Sequence, residues 1–256
     1  MVGSRFERMP CALCLQEKSL RLSHIVPEFM YAAMYDGKHR FFGISSIPTK
    51  RNKFFQKGLR ERLLCSDCEQ HIGKYEHYAS GVFYGHTVRK TSRVAQGYLL
   101  EGLDYAKLKI FFLSLLWRFA MTTVEQYRRA DLGPYTEKLR QLILSDDPGD
   151  YLKYPCMVTA IIIDGKHMAD LIAPPADTRL EGQRIWNIVV AGFVFSFFLG
   201  KTATPSTLRA GFLRENGTLF VQVRDIHEID YLYRFLCEMG AAERKRKRQD
   251  RDRRSN

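Results

Sequence analysis

The sequence lacks the long apolar runs and the N-terminal leader pattern that membrane and secreted proteins carry. Its longest apolar stretches are Ile110–Met121, which Arg118 interrupts, and Ile188–Gly200. Both are shorter than the roughly 20 residues that span a bilayer. The first ten residues already hold three charged side chains, so no apolar leader segment opens the chain. We therefore expect a cytoplasmic protein that does not enter a membrane.

Acidic residues are few relative to basic ones. The 256 residues include 40 Lys and Arg but only 28 Asp and Glu, which gives a formal net charge of +12. The 45% of hydrophobic residues are enough to bury a core, and the length suits one large domain or two small ones. Because positive charge favours polyanionic partners, we expect a nucleic acid as the binding partner, with an anionic membrane surface as the second possibility.

Cysteine is scarce, but its spacing is informative. Four of the six cysteines form two Cys-x-x-Cys pairs, Cys11/Cys14 and Cys65/Cys68. This spacing lets both thiolates of a tight turn bind one ion, and two such turns complete a tetrahedral zinc site. Redox-active thiols are the alternative interpretation. Cys156 and Cys237 lie singly among apolar residues and are predicted to be small buried side chains.

The character of the sequence changes near residue 100. Residues 1–100 are polar and irregular and contain both cysteine pairs, whereas residues 101–242 have the patterns of an α+β domain with a small antiparallel sheet. We predict a long buried helix over Asp104–Tyr127, a shorter helix over Pro134–Leu144 and another over Ile226–Glu243. The predicted strands are Cys156–Ile163, Ile188–Leu199, Thr207–Leu213 and Thr218–Arg224. This second half is a candidate surface for a protein partner or for a second copy of the chain.

Two segments are rich in basic residues. The basic strip lies between the cysteine pairs and contains Lys50, Arg51, Lys53, Lys57, Arg60 and Arg62. It is either a phosphate-contacting surface or a solvated loop that Phe54 and Phe55 anchor. The second segment, 243–256, has no large apolar residue and is predicted to be a disordered or fraying helical tail. The tail is a further candidate contact for nucleic acid.

The residues around the cysteine pairs also match the pattern of a known family. Cys11-Ala-Leu-Cys14 is followed by Leu22-Ser23-His24-Ile25-Val26-Pro27 and then by Leu63-Leu64-Cys65-Ser66-Asp67-Cys68. This order resembles the zinc-stabilised HNH endonucleases of the His-Me finger group, over roughly residues 8–80. The combination of two knuckles, a His-Ile-Val-Pro segment and Leu-Leu-Cys carries the resemblance.

The resemblance implies a fold, a chemistry and a context. The fold is a ββα-metal module of the treble-clef kind, with a structural zinc on the four cysteines. His24 is the general base that takes a proton from water, and a catalytic Mg²⁺ or Mn²⁺ stabilises the phosphate as its ester bond breaks. The implied function is metal-dependent hydrolysis of phosphodiester bonds in nucleic acid, with DNA favoured over RNA, as in bacterial defence against foreign DNA.

The chain departs from the family pattern where the catalytic ion binds. Ser23 replaces an acidic ligand, Arg60 replaces an asparagine, and Glu69 stands where a histidine or asparagine is usual. Glu69 and the nearby His71 are therefore the candidate ligands, since a carboxylate suits Mg²⁺ or Mn²⁺. Two alternatives remain open: a zinc module that binds nucleic acid without cleaving it, and an interaction protein whose charge is incidental.

Overall fold

The computed structural model describes residues 9–44, 50–85, 90–125, 127, 130–200 and 205–255, with side chains as far as residue 249. These residues form a mixed α+β protein, as predicted. The core joins a group of short strand pairs near the N-terminus to a larger C-terminal sheet.

The N-terminal part consists of three antiparallel strand pairs and one helix. Its elements are β1 (Met9–Pro10), β2 (Glu17–Lys18), β3 (Leu20–His24), β4 (Arg40–Gly43), β5 (Lys53–Gln56), β6 (Arg60–Cys65) and α1 (Ser66–Phe83), with a 3-10 helix at Glu28–Met34. β1 pairs with β2, β3 with β6, and β4 with β5. The helix α1 follows β6 directly and packs against both β3 and β6. These three elements form a ββα unit.

The C-terminal part is built on an eight-stranded sheet. Its strands are β7 (Lys90–Val94), β8 (Gly97–Glu101), β9 (Cys156–Ile163), β10 (Lys166–His167), β11 (Ala173–Leu180), β12 (Gln183–Val190), β13 (Phe193–Phe198) and β14 (Leu219–Asp225). They lie in the order β11-β12-β13-β9-β14-β8-β7, with β10 beside β9. All neighbours are antiparallel except β9 and β14. The sheet is larger than predicted and begins before residue 100.

The predicted long buried helix is confirmed as α2 (Tyr105–Met121), although it ends before the predicted boundary at Tyr127. Asp104 caps it, since its side chain accepts a hydrogen bond from the backbone N–H of Lys107. Every residue from Leu108 to Ala120 is buried, which explains why the segment is apolar on nearly all faces. The helix packs against α1 and against α3 (Tyr135–Leu144), the second predicted helix.

The hydrophobic core is continuous across residue 100. One cluster of buried residues includes Leu13 and Ile72 from the first half and Phe111 and Phe195 from the second. A fully buried side chain of this size contributes roughly 1.5–3 kcal/mol to folding. The two halves therefore stabilise each other, and the change of character near residue 100 is not a break in the core.

Three local predictions for the C-terminal part were wrong. Thr207–Leu213 was predicted as a strand, but Ser206–Gly211 is a 3-10 helix, whose first turn is closed by a hydrogen bond of 3.1 Å from Leu208 N–H to Pro205 O. Ile188–Leu199 was predicted as one strand and instead contributes to both β12 and β13, because a turn interrupts it at Ala191 and Gly192. Cys237 was predicted to be buried and is exposed.

The basic C-terminal segment is helical, the second of the two forms expected for it. The helix α4 extends over Asp230–Ser255 and contains the predicted helix Ile226–Glu243 except for its first turn, where Ile226–Glu228 is a separate 3-10 helix. Its Glu243 accepts a hydrogen bond of 2.7 Å from the Asn52 side chain, and Arg246 donates one to the same asparagine. These contacts place the basic part of α4 beside the basic strip, a proximity that the sequence does not indicate.

Candidate functional site

The first cysteine pair lies in a tight turn between β1 and β2. The backbone N–H of Cys11 donates to Gln16 O at 3.0 Å, and the N–H of Leu15 donates to Cys11 O at 2.8 Å. Leu15 has a φ of +61°, a left-handed conformation that completes the turn. This geometry folds Cys14 back beside Cys11, as a metal-binding knuckle requires.

The second pair joins a strand to a helix. Cys65 is the last residue of β6, and Cys68 lies in the first turn of α1. The backbone N–H of Ala12 donates to Leu63 O at 3.0 Å, which holds the first turn against β6. Two separate segments thus meet at one point.

The four sulfur atoms form a compact cluster that fits a metal ion. The Sγ atoms of Cys11, Cys14, Cys65 and Cys68 all lie within 4.8 Å of one another, and those of Cys14 and Cys65 are 3.9 Å apart. A tetrahedral zinc with Zn–S bonds of about 2.3 Å needs sulfur atoms about 3.8 Å apart. The cluster can therefore hold an ion such as zinc after only small movements.

The local electrostatics also suit a cation. Burial opposes ionisation of the Cys11 thiol, but backbone N–H donors outweigh it and lower its pKa to about 7. One of these donors is the N–H of Cys65, 3.3 Å from Cys11 Sγ. Burial raises the pKa of Cys68, with its cysteine neighbours adding to the effect. A bound cation would offset the repulsion among four thiolates at this distance, so the cluster could hold a metal ion.

His24 lies at the end of β3, opposite Arg60 of β6. Its Nε2 is 3.0 Å from the carbonyl oxygen of Lys57 and 2.8 Å from Oε2 of Glu28, and about a quarter of the side chain is exposed. A carbonyl oxygen can only accept, so Nε2 carries the hydrogen in the neutral ring. In this tautomer Nδ1 keeps a lone pair that can accept a proton.

The loop that supplies the Lys57 carbonyl needs an unusual backbone. Lys57 and Gly58 have φ values of +60° and +63°, both in the left-handed region. A Cβ at Gly58 would lie 3.0 Å from the His24 ring and 2.8 Å from the Tyr31 ring. Glycine is therefore required for this backbone to approach His24.

A buried arginine fixes His24 from the other side. Arg118 of α2 is 2% exposed, and its Nη1 donates to His24 O at 3.0 Å and also to Glu76 of α1. Removing either partner of such a buried ion pair leaves an uncompensated charge. The contact ties α1, α2 and the end of β3 together at the candidate base.

The structure does not gather the predicted ion ligands beside His24. Ser23 is buried, and its Oγ accepts a hydrogen bond from Leu64 N–H at 3.1 Å, so it faces into the strand pair. His71 binds the α3 end, with Nε2 2.7 Å from Ile143 O and 3.2 Å from Asp146. Glu69 has a buried Oε1 without a hydrogen-bond partner among the described residues. Among the residues that the structure describes, the four cysteines are the one group of three or more side chains that could bind a metal ion together.

The side chains of the basic strip are exposed, and some of them also contact other residues of the protein. Lys50, Arg51, Lys53, Lys57, Arg60 and Arg62 are all exposed. The Lys50 ammonium pairs with Glu125, and Arg62 donates to Leu20 O at 2.9 Å. Lys53 lies over the Phe55 ring, 4.9 Å from its centroid. The strip thus presents cations along β5 and β6. Of these two strands, β6 is the one that pairs with β3 beside His24.

Sequence reasoning missed the partners of His24. Glu28, the Lys57 carbonyl, Arg118 and Glu76 all contact it or hold it in place. Glu28 is four residues after His24 and directly follows Pro27, and this short spacing could have indicated that the two side chains are in contact. Arg118 was visible too, as a charge in an otherwise apolar helix. The backbone contact of Lys57 left no signal beyond the glycine that follows it.

Comparisons with known proteins identify no relative. Protein-family models, curated proteins and solved structures were all searched, and none matches the chain. None of the helices in the described ranges is long and apolar enough to cross a membrane.

Proposed function

We propose that the chain is a metal-dependent endonuclease of the HNH type that hydrolyses phosphodiester bonds in nucleic acid. The observation that carries this proposal is the imidazole of His24, held by Lys57 and Glu28 at the end of a strand pair that packs on α1. The cluster of Cys11, Cys14, Cys65 and Cys68, which could hold a zinc ion, supports the proposal further. DNA as the substrate and a role in defence come from the family resemblance.

In this mechanism His24 acts as the general base. The Lys57 carbonyl keeps the hydrogen on Nε2, so that Nδ1 takes the proton from the attacking water. The ring then becomes positively charged, and the Glu28 carboxylate 2.8 Å away stabilises that charge. Exposed lysine and arginine side chains of the basic strip bind the phosphates on either side of the cleaved bond.

The proposed catalytic Mg²⁺ or Mn²⁺ has one candidate ligand with a free oxygen, Glu69. Magnesium is commonly held by one or two carboxylates together with water and substrate phosphates. The described contacts do not bring Glu69 to His24, however, so no ligand set for this ion is assigned at the candidate base. Bound near His24, such an ion would supply positive charge to the phosphate.

Charge neutralisation at Glu28 provides a test of its role. We expect Glu28→Gln to lower kcat about tenfold, equivalent to roughly 1.4 kcal/mol of transition-state stabilisation, with KM nearly unchanged. The amide keeps the size of the side chain and a carbonyl oxygen for the Tyr35 hydroxyl, 2.7 Å away, but loses the charge that faces His24. Steady-state cleavage of a labelled oligonucleotide measures both constants. The exposed Glu17→Gln is the matched control, and an unchanged kcat in Glu28→Gln would remove Glu28 from the mechanism.

The basic surface provides a second test. We expect log affinity for DNA to fall steeply with log salt, with a slope of about 0.9 for each phosphate neutralised. Changing Arg244, Lys245, Lys247 and Arg248 to Gln should flatten that slope, because all four are exposed on α4 beside the basic strip. This set leaves Glu243 and Arg246 bound to Asn52, which a truncation at Ala242 would not.

The control for the salt experiment removes the same number of positive charges from the large C-terminal sheet. Lys90, Arg93, Lys166 and Arg179 are exposed on the large sheet, and their change to Gln should leave the slope unaltered. Equal slopes for the α4 variant and the wild type would show that the helix is merely solvated.

A zinc module that binds nucleic acid without cleaving it is the second candidate function. It is favoured by Ser23, which replaces an acidic ligand and turns its hydroxyl into the strand pair. Absence of cleavage by the wild type with Mg²⁺, Mn²⁺ or Ni²⁺, together with salt-dependent binding, would select this candidate.

A further inference from the structure

The hairpin of β4 and β5 has two unlike aromatic faces. Phe41 pairs with Phe55, and Phe42 pairs with Phe54, in the antiparallel register. Phe41 is 6% exposed and packs on Tyr31 and Phe55. On the other face Phe42 and Phe54 are 48% and 54% exposed, with ring centroids 5.1 Å apart. The hairpin is thus fastened to the core by one pair and presents the second pair to solvent.

Cations lie near the exposed pair. The Arg40 guanidinium lies over the Phe54 ring, 4.4 Å from its centroid, whereas the Lys53 side chain lies on the opposite face, over the Phe55 ring. Lys50 and Arg51 are exposed just before β5. An apolar surface that docks on another protein core is usually depleted of charge at its centre. Aromatic rings interleaved with cations instead match a polyanion whose subunits carry flat rings, which is the chemistry of nucleic acid.

The hairpin is fixed close to the candidate base. Arg40 at the start of β4 makes a two-pronged contact with Asp36, and Nε2 of His39 lies 3.5 Å from Oε1 of Glu28. The other oxygen of Glu28 is the one that approaches His24. Glu28 thus contacts both His24 and His39, and His39 directly precedes β4, the strand that carries Phe42.

We propose that Phe42 and Phe54 form a platform on which unpaired bases stack, so that the substrate is single-stranded or locally opened beside the cleaved phosphate. The location of the cleaved phosphate rests on the proposed nuclease function. Stacking on Phe is tolerant of sequence because every base has a flat face, and the cations near the rings bind the backbone. In paired DNA the faces of the bases are covered by their neighbours, so the platform discriminates against intact duplex.

The experiment measures binding without cleavage. In a His24→Ala background, fluorescence anisotropy compares a single-stranded oligonucleotide, an abasic oligonucleotide of equal length and a blunt duplex. Phe42→Ala/Phe54→Ala should weaken binding of the single strand by roughly 5- to 150-fold per base that loses its stacking. Binding of the abasic strand and of the duplex should change little, and the salt slope for the single strand should stay the same.

Two control variants keep the result interpretable. Phe42→Tyr/Phe54→Tyr preserves the rings and should retain affinity for the single strand. Tyr98→Ala removes a similarly exposed aromatic from β8 and should have no effect. Because both Phe side chains are about half exposed, the double variant is expected to fold, and an unchanged melting temperature checks this.

Several outcomes would overturn the platform. These are equal losses for single strand and duplex, no loss for the single strand, no nucleic-acid binding at all, or a change from dimer to monomer in the double variant. The last would show that the exposed rings bind a second copy of the chain. A wild type that never cleaves, but whose single-strand binding depends on the two rings, would reject the nuclease proposal and support the platform.

Discussion

Cleavage should fall by a factor of about 10²–10⁴ when His24 is replaced by alanine, the range that positioned general bases contribute. The side chain that is lost contacts Lys57 and Glu28, whereas the backbone carbonyl that binds Arg118 remains. The strand pair and the zinc cluster should therefore stay intact. Phosphate binding also should persist, since it depends on lysine and arginine side chains. A loss of rate with unchanged affinity is the signature of a catalytic residue.

The experiment needs a matched histidine. His77 is exposed on α1, the helix that packs against β3, and His77→Ala should cleave at the wild-type rate. Single-turnover cleavage with Mg²⁺ or Mn²⁺, zinc content and anisotropy binding are measured for all three proteins. If His24→Ala cuts as fast as the wild type, the catalytic group is elsewhere or the activity belongs to a contaminant.

The features that could be predicted from the sequence are those that depend on residues close together in the chain. A Cys-x-x-Cys turn is specified by residues within a few positions, and the two turns meet because β3 and β6 pair. The apolar character of α2 likewise follows from its own residues. Each turn and the apolar character of α2 depend on local spacing and burial, whereas the meeting of the two turns depends on the pairing of β3 with β6.

Contacts between distant segments were beyond such reasoning. The parallel pairing of β9 with β14 and the meeting of Asn52 with Glu243 join positions far apart in the chain. Arg118 looked like an interruption of an apolar run, although it is buried with a partner, Glu76, supplied by another helix. The favourable energy of these pairs depends on mutual burial, which no single segment encodes.

The failed strand at Thr207–Leu213 and the exposed Cys237 have local causes. A period of two in a short apolar segment is a weak signal, and here the chain forms a 3-10 helix over Ser206–Gly211. Cys237 has apolar neighbours in sequence, but each successive helical residue points about 100° away from the last. Neighbours at adjacent positions of a helix therefore say little about which way a side chain faces.

Removal of the metal should have the largest effect on stability. We expect one zinc per chain, and we expect Cys65→Ser to lose it and to lower the melting temperature. Zinc binding contributes about 10–16 kcal/mol in small zinc-dependent peptides, comparable with the roughly 5–15 kcal/mol that stabilises a typical protein. Even a loss of about 4 kcal/mol lowers Tm by roughly 8–16 °C in a chain near this length. Cys65 is also buried at the junction of β6 and α1, so the substitution acts where the two cysteine segments meet.

The same experiment distinguishes a metal site from redox thiols. Cys237→Ser is the matched control, because Cys237 is exposed on α4 and lies outside the sulfur cluster, so this variant should keep both zinc and Tm. Elemental analysis gives the stoichiometry, and a strong chelator added to the wild type should reproduce the melting shift of Cys65→Ser. A wild type without zinc, or a Cys65→Ser variant of unchanged stability, would contradict the metal site. Because α1 packs on α2, the unfolding that follows metal loss should spread from the cysteine cluster into the shared core and not stop near residue 100.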